Sequence, residues 1–457
     1  MNPAPKSHPS RREFLANSGK ALAATALAGI TLPHVHAAED NTIRLALIGC
    51  GGRGGGAVKD AFSTTGGPVK LVAMADLFED RLTRCYDSLQ KEKEFEELLD
   101  VPPERKFLGM DAYKKAMDCL RPGDVAIFAT HPAFRWVHFR YAIQKGLNVF
   151  MEKPIAVDAP SARRMLALAD EADKKKLKVG VGLMVRHCRA RQELHQRIQQ
   201  GEIGDIVLMR AYRLHGPYSG TFCGPKPADQ SELHYQLRRP IGFLWLSGGL
   251  FSDYNIHQID ECSWMKNAWP VKASGIGGRH YRGNCVDQNF DTYSIEYTYP
   301  DGAKLFFESR IMEGCAKKFA SFAHGTRGCA VISTSAHTPG KCRIFRGHDL
   351  DAEPVWAFPQ PEVTPYKLEW QDLLDAIRED KPYNEAKRGA IASLVTAMGR
   401  FAAHTGQEVT YDEMLNHDHE FAPDLDKLTM DSPAPLQADA DGKYPVPMPG
   451  KITNREY

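Results

Sequence analysis

One segment constrains the fold more than any other: an apolar run, Ile43–Ile48, enters Gly49-Cys50-Gly51-Gly52-Arg53-Gly54 and continues into a helix-compatible stretch at 57–62. A strand that turns on Gly49, Gly51 and Gly54 into a helix lets backbone approach a pyrophosphate at the helix N-terminus. Gly52 and Arg53 belong to the same candidate cradle. A second apolar run, 69–75, ends at Asp76, 22 positions after Gly54. An acidic side chain there suits a ribose diol and repels a 2′-phosphate, so the sequence favours NAD over NADP.

The pattern continues. A third run, 125–129, ends at Thr130-His131-Pro132, and a fourth, 148–151, ends at Glu152-Lys153-Pro154, with a helical stretch at 136–145 between them. Continuous apolar strands alternating with helices predict a parallel sheet covered on both faces. Residues 38–155 are therefore expected to form a doubly wound, Rossmann-type dinucleotide-binding domain, with Thr130, His131, Glu152 and Lys153 on its ligand-binding rim.

At 457 residues the chain is too long for a single compact core. Beyond residue 155 the patterning changes. Tyr293, Ile295, Tyr297 and Tyr299 alternate with Thr292, Ser294, Glu296 and Thr298, and Pro300-Asp301-Gly302 turns the chain back. That is period two, the mark of a sheet with one packed face. An α+β domain over 156–365 with a largely antiparallel, open-faced sheet is predicted. Helical patterning at 366–405 is expected to pack back on the first domain, and the Pro- and Asp-rich stretch 414–457 to form an extended arm. Its His417-Asp418-His419-Glu420 reads as a solvated polar tail, and no metal site is expected.

A formal charge of +1 gives no electrostatic reason to expect nucleic acid as a partner. The basic excess sits at the start, where Lys6, Arg11, Arg12 and Lys20 face only Glu13. There Ser10-Arg11-Arg12-Glu13-Phe14-Leu15 precedes a mild Ala-rich stretch and Val35-His36-Ala37, small at the positions a signal peptidase reads. Residues 1–37 resemble a twin-arginine signal peptide, which implies a periplasmic destination; the apolar stretch is too short to span a membrane. Ten scattered cysteines with no CxxC pair read as mostly buried thiols.

Lys153 of Glu152-Lys153-Pro154 falls at the C-terminal end of a parallel strand. A hundred residues on, Asp253 and His257 stand at i and i+4 of one predicted helix face. The glycine turn, the EKP tripeptide and the D-x-x-x-H helix, in that order, resemble the glucose-fructose oxidoreductase/inositol dehydrogenase (Gfo/Idh/MocA) family over residues 42–405. The resemblance implies that Lys153, Asp253 and His257 surround a sugar or polyol hydroxyl. Oxidising a secondary alcohol sends a hydride to nicotinamide and a proton to a base, a task for His257, while Lys153 stabilises alkoxide charge. Arg186, His187, Trp245, Tyr254 and His280 are candidate sugar contacts.

Export would deprive such an enzyme of a free nicotinamide pool, so a tightly bound, recycled cofactor is expected. Two other readings stay open. The Tyr254-x-x-His257 spacing resembles NAD-dependent glycosidases of the same superfamily, which oxidise a sugar transiently and hydrolyse it without net redox change; a non-catalytic carbohydrate-binding protein is the third. A homo-oligomer, dimer or tetramer, is expected through the sheet of the second domain.

Overall fold

The computed structural model describes residues 41–218 and 220–457; the leader expected at 1–37 lies outside the described residues. The first sheet is parallel and six-stranded, built from β1 (Ile43–Ile48), β2 (Val69–Asp76), β3 (Lys106–Leu108), β4 (Val125–Phe128), β5 (Asn148–Met151) and β6 (Val179–Val181) in the order β3-β2-β1-β4-β5-β6. Helices cover both faces, so the central strands are mostly apolar, and every residue of β4 and β5 is buried. The order reverses between β1 and β4, and the crevice beyond their C-terminal ends is where such sheets hold ligands. The sheet runs past residue 155, where the sequence suggested the domain would close. The helix Ala159–Lys174 crosses over and β6 pairs with β5, because a parallel neighbour requires a helical crossover.

The second sheet has nine strands: β7 (Ile206–His215), β8 (Lys272–Gly278), β9 (Thr292–Thr298), β10 (Lys304–Ile311), β11 (Lys318–Gly325), β12 (Gly328–Thr334), β13 (Arg343–Arg346), β14 (Trp356–Ala357) and β15 (Val409–Thr410). They lie in the order β14-β13-β12-β11-β7-β10-β9-β8-β15. Only β7 and β10 pair in parallel; every other neighbour is antiparallel. On β9 the period-two expectation is realised: Tyr293, Ile295 and Tyr297 point into the core while Ser294 faces outward. The helix Gly249–Lys266 packs on the inner face. Phe306 stays 44 % exposed on the outer one.

Of the two helices read as returning to the first domain, Pro365–Arg378 does so, sinking Trp370, Leu373 and Leu374 beside Phe150 and β1. The Ala- and Gly-rich helix Ala386–Thr405 is buried nearly all round and lies between the two domains, against the helices Ala159–Lys174 and Gly249–Lys266 and against β8. The tail is extended, but it is not a solvated arm. Phe421, Leu425, Leu436 and Tyr444 join the core of the first domain, because apolar residues spaced along a Pro-rich strap can each fill a surface groove. Glu420 forms a bidentate pair with Arg164, and the His417 ring hydrogen-bonds the Asn454 carbonyl at 3.0 Å. All ten cysteines are free, seven of them buried. No helix among the described residues is long and apolar enough to cross a membrane.

Candidate active site

The glycine turn is sterically obligatory. Gly49 adopts φ +97°, and a Cβ there would stand 2.6 Å from the Ala129 carbonyl carbon; a Cβ on Gly54 would stand 2.0 Å from the Gly49 oxygen. Strand, turn and helix can approach this closely only without side chains. Gly51 and Gly52 differ: a Cβ at either would meet no atom within 4 Å, since both border a cavity of about 420 Å³. We therefore expect Gly54→Ala to cost about 1–3 kcal/mol through overpacking and to abolish NAD binding. Thermal unfolding with and without added NAD checks this, and a variant with wild-type melting and NAD response would contradict it.

The cavity follows the C-terminal rim of the parallel sheet and is lined by Gly49, Gly51, Gly52, Arg53, Asp76, Thr130, His131, Glu152, Lys153 and Asp253. Its donor set fits a dinucleotide: a glycine cradle open at a helix N-terminus at one end, and an amine facing a helix turn at the other. Asp76 is preorganised, its carboxylate accepting from the Cys50 amide at 2.6 Å and the Phe78 amide at 2.9 Å. Arg53 reaches across the cleft to Glu152, 2.6 Å away, with its guanidinium over the Tyr366 ring. Thr130 accepts from Arg135, which also donates to the Glu152 carbonyl. His131 bonds the Leu237 carbonyl, and burial pushes its pKa down to about 3, so it is a neutral donor.

Lys153 lies two residues past the end of β5. Its Nζ donates to the Asp253 carbonyl at 2.5 Å and stands 3.7 Å from the Asp253 carboxylate, tying the first domain to the helix Gly249–Lys266. One turn on, His257 is 6 % exposed, and its Nδ1 is sealed from solvent with no partner. Burial, aided by His337, Lys153 and Arg213, holds its pKa well below the ordinary 6.5. The structure thus brings Lys153, Asp253 and His257 together from two domains, with Tyr254 beside them, stacked on Tyr218 at 4.4 Å.

The other four candidate sugar contacts are not brought to this cleft. Arg186 grips Asp260 through two hydrogen bonds of 2.8 and 2.7 Å and packs its guanidinium on Trp264, so it anchors the helix Gly249–Lys266 instead. His187 is buried between Asp372 and Glu385, which tie it to the helices Pro365–Arg378 and Ala386–Thr405. Trp245 is fully buried, its indole donating to Gln236 at 2.7 Å. His280 is exposed at the end of β8, bonded to Thr292. Partners distant in sequence claim Arg186 and His187, and Gln236, nine positions back, claims Trp245. Sequence reasoning missed Arg135, which braces the rim, and Arg213 and His337, which face His257; none sits in a motif.

Residues 43–181 match the family of oxidoreductases with an NAD-binding Rossmann fold, Gfo/Idh/MocA. The chain is 23% identical over 344 residues to a scyllo-inositol 2-dehydrogenase (NAD(+)) of Bacillus subtilis, covering 75% of this chain and 88% of that one. Among solved structures, the aldose-aldose oxidoreductase of Caulobacter crescentus superposes with TM-score 0.62 at 15% identity, over 81% of this chain and 99% of that one. The scyllo-inositol dehydrogenase of Lactobacillus casei, bound to NAD(H) and scyllo-inositol, gives 0.58 at 19%, over 81% and 99%. The family match covers the NAD-binding Rossmann domain, residues 43–181, and marks the chain as an oxidoreductase that uses a nicotinamide cofactor.

Proposed function

We propose that the protein is an exported NAD-dependent oxidoreductase acting on a secondary hydroxyl of a sugar or polyol, with the cofactor kept bound and recycled between turnovers. The observation that carries this reading is the pairing of Lys153 with Asp253 at one end of the dinucleotide cleft, with His257 one helix turn on and near enough for the Lys153 charge to lower its pKa. The inositol dehydrogenase and aldose oxidoreductase relatives support the substrate class, and the basic, Ala-rich leader supports export to the periplasm. The outward Phe306 and half-exposed Val207 support a homo-oligomer through the second sheet.

Bound NAD would supply the hydride acceptor. Lys153 donates to the substrate oxygen and strengthens that bond as alkoxide charge develops. Asp253 fixes the ammonium. Because Nδ1 of His257 is sealed, Nε2 takes the hydroxyl proton. The depressed pKa keeps that imidazole unprotonated through neutral pH, so the acid limb of kcat/KM is expected below pH 6.5, with a plateau above it. A pH–rate profile with its acid limb above pH 7 would remove His257 as the base.

Exposure of the purified protein to free polyols, aldoses and chromogenic glycosides tests the reading. Reduction of the bound nucleotide by a free sugar or polyol is the expected result. Release of aglycone with no net change in the nucleotide would favour the redox-neutral glycosidase, and absence of any bound nucleotide would favour a binding module.

A further inference from the structure

Arg191, Arg282 and Arg400, all buried, meet carboxylates, whereas buried Arg135 donates to the Thr130 hydroxyl and the Glu152 carbonyl. Arg191 pairs with Glu261, Arg282 with Asp287 and Asp291, and Arg400 with Glu456. Arg213, near the C-terminal end of β7 and partly buried, feels the charge of Asp253 but has no ion pair among the described residues. Its guanidinium donates to His337 at 2.8 Å, lies over the rings of Tyr254 and Phe319, and leaves its buried Nε–H without a partner. Every one of these neighbours is neutral: burial holds His337 well below its ordinary pKa and keeps the Tyr254 phenol protonated.

The polar atoms around it are unsatisfied as well. His337 Nδ1 and His215 Nε2 are buried with no hydrogen-bond partner, and the rings of His257 and His337 lie 4.5 Å apart. Several orphaned polar atoms at one spot mark a place completed by something polar from outside the chain. The charge there is unbalanced too, since Lys153 and Arg213 share a single carboxylate, Asp253, already engaged by Lys153. A desolvated cation without a counter-ion is costly, and a planar guanidinium with an unused N–H matches a carboxylate best.

From this arrangement we infer that the substrate is an acidic sugar, a uronate or aldonate whose carboxylate is received by Arg213 while a secondary hydroxyl is presented to Lys153 and His257. The inference rests on the oxidoreductase reading above and narrows it to anionic sugars. Bound in this way, the carboxylate pairs with Arg213, so the substrate's own charge fixes which carbon faces the cofactor.

Titration calorimetry of the full-length, NAD-loaded protein with D-galacturonate and D-glucuronate, each against D-galactose and D-glucose, tests this. At least one uronate is expected to bind about tenfold or more tightly than its neutral counterpart, with the preference shrinking as salt rises. In Arg213→Met, checked for folding by circular dichroism, the ratio between acid and neutral sugar should fall towards one; Arg213→Lys should retain part of it. The wild-type ratio decides the matter even where the variants do not fold. Equal affinities, a preference for the neutral sugar, or no uronate binding would overturn the inference. Hydride transfer is read separately from the absorbance of the bound nucleotide. Neutral polyols that reduce it while uronates do not would sink the acidic-sugar assignment alone. Uronates that bind tightly without reducing it would sink the oxidoreductase reading alone.

Discussion

Lys153→Met lowers kcat by about two to three orders of magnitude, the loss typical when a preorganised donor to a developing oxyanion is removed. The Nζ stands in the cleft held by the Asp253 carbonyl and carboxylate, so it reaches a substrate oxygen with little reorganisation. Methionine keeps the length and the apolar stem but donates nothing. The bond strengthens as charge builds, so the loss falls on kcat more than on KM. NAD retention should survive, because Gly49, Gly51 and Asp76 lie at the other end of the cavity. Steady-state kinetics together with mass spectrometry of the nucleotide released on denaturation checks both halves. A variant with near-wild-type kcat would take Lys153 out of the chemistry, and one that has lost its nucleotide would make it a cofactor anchor.

The second large effect lies far from the reacting groups in sequence. Glu456, in the tail, is buried with Arg400, receiving both a 2.8 Å bond from Nε and another from Nη2, and a 2.6 Å bond with His404. Arg400 also donates to the Gly248 carbonyl and Ser252 Oγ, at the head of the helix that carries Asp253 and His257, and to the Val157 carbonyl. Glu456→Ala strands the guanidinium without a counter-ion, at a cost of about 3–5 kcal/mol. Urea unfolding measures it, and a variant as stable as the wild type would show that the tail does not clamp the domains together. The pair also sets a pH dependence. Although burial pushes the other way, Arg400 and His404 hold Glu456 down at about 2, below its ordinary 4.5. A depressed carboxyl stabilises the fold fully above pH 4.5. That contribution drains away as the pH falls from there towards 2. Glu456→Gln should lose this part of the acid dependence.

Local signals made the first domain legible: a glycine turn that leaves no room for a Cβ, and apolar strands alternating with helices. The sheet edge at β6 was harder to see, because three residues after a long helix carry little pattern. At the site, Lys153 and the Asp253/His257 turn could be found because each sits in a short motif. Arg186 and His187 looked equally exposed to a sugar, yet their partners Asp260, Asp372 and Glu385 lie 74 to 198 positions away and only the fold reveals them. Arg213 and His337 present the opposite case, single residues with no motif that tertiary structure turns towards His257. The tail misled for a third reason. Its composition is that of a solvated arm, but its few apolar residues are spaced to fill grooves, and the side-chain carboxylate of Glu456 finds a buried arginine.

The central claim is that a sugar carbon gives its hydride to a nucleotide held between the glycine turn and Lys153. Incubating the protein with sugars deuterated at the ring carbons and weighing the nucleotide released on denaturation tests it most directly. One deuterium carried by the reduced nucleotide is the predicted result. Reduced nucleotide without label, or a protein that neither carries nor binds NAD, would contradict it.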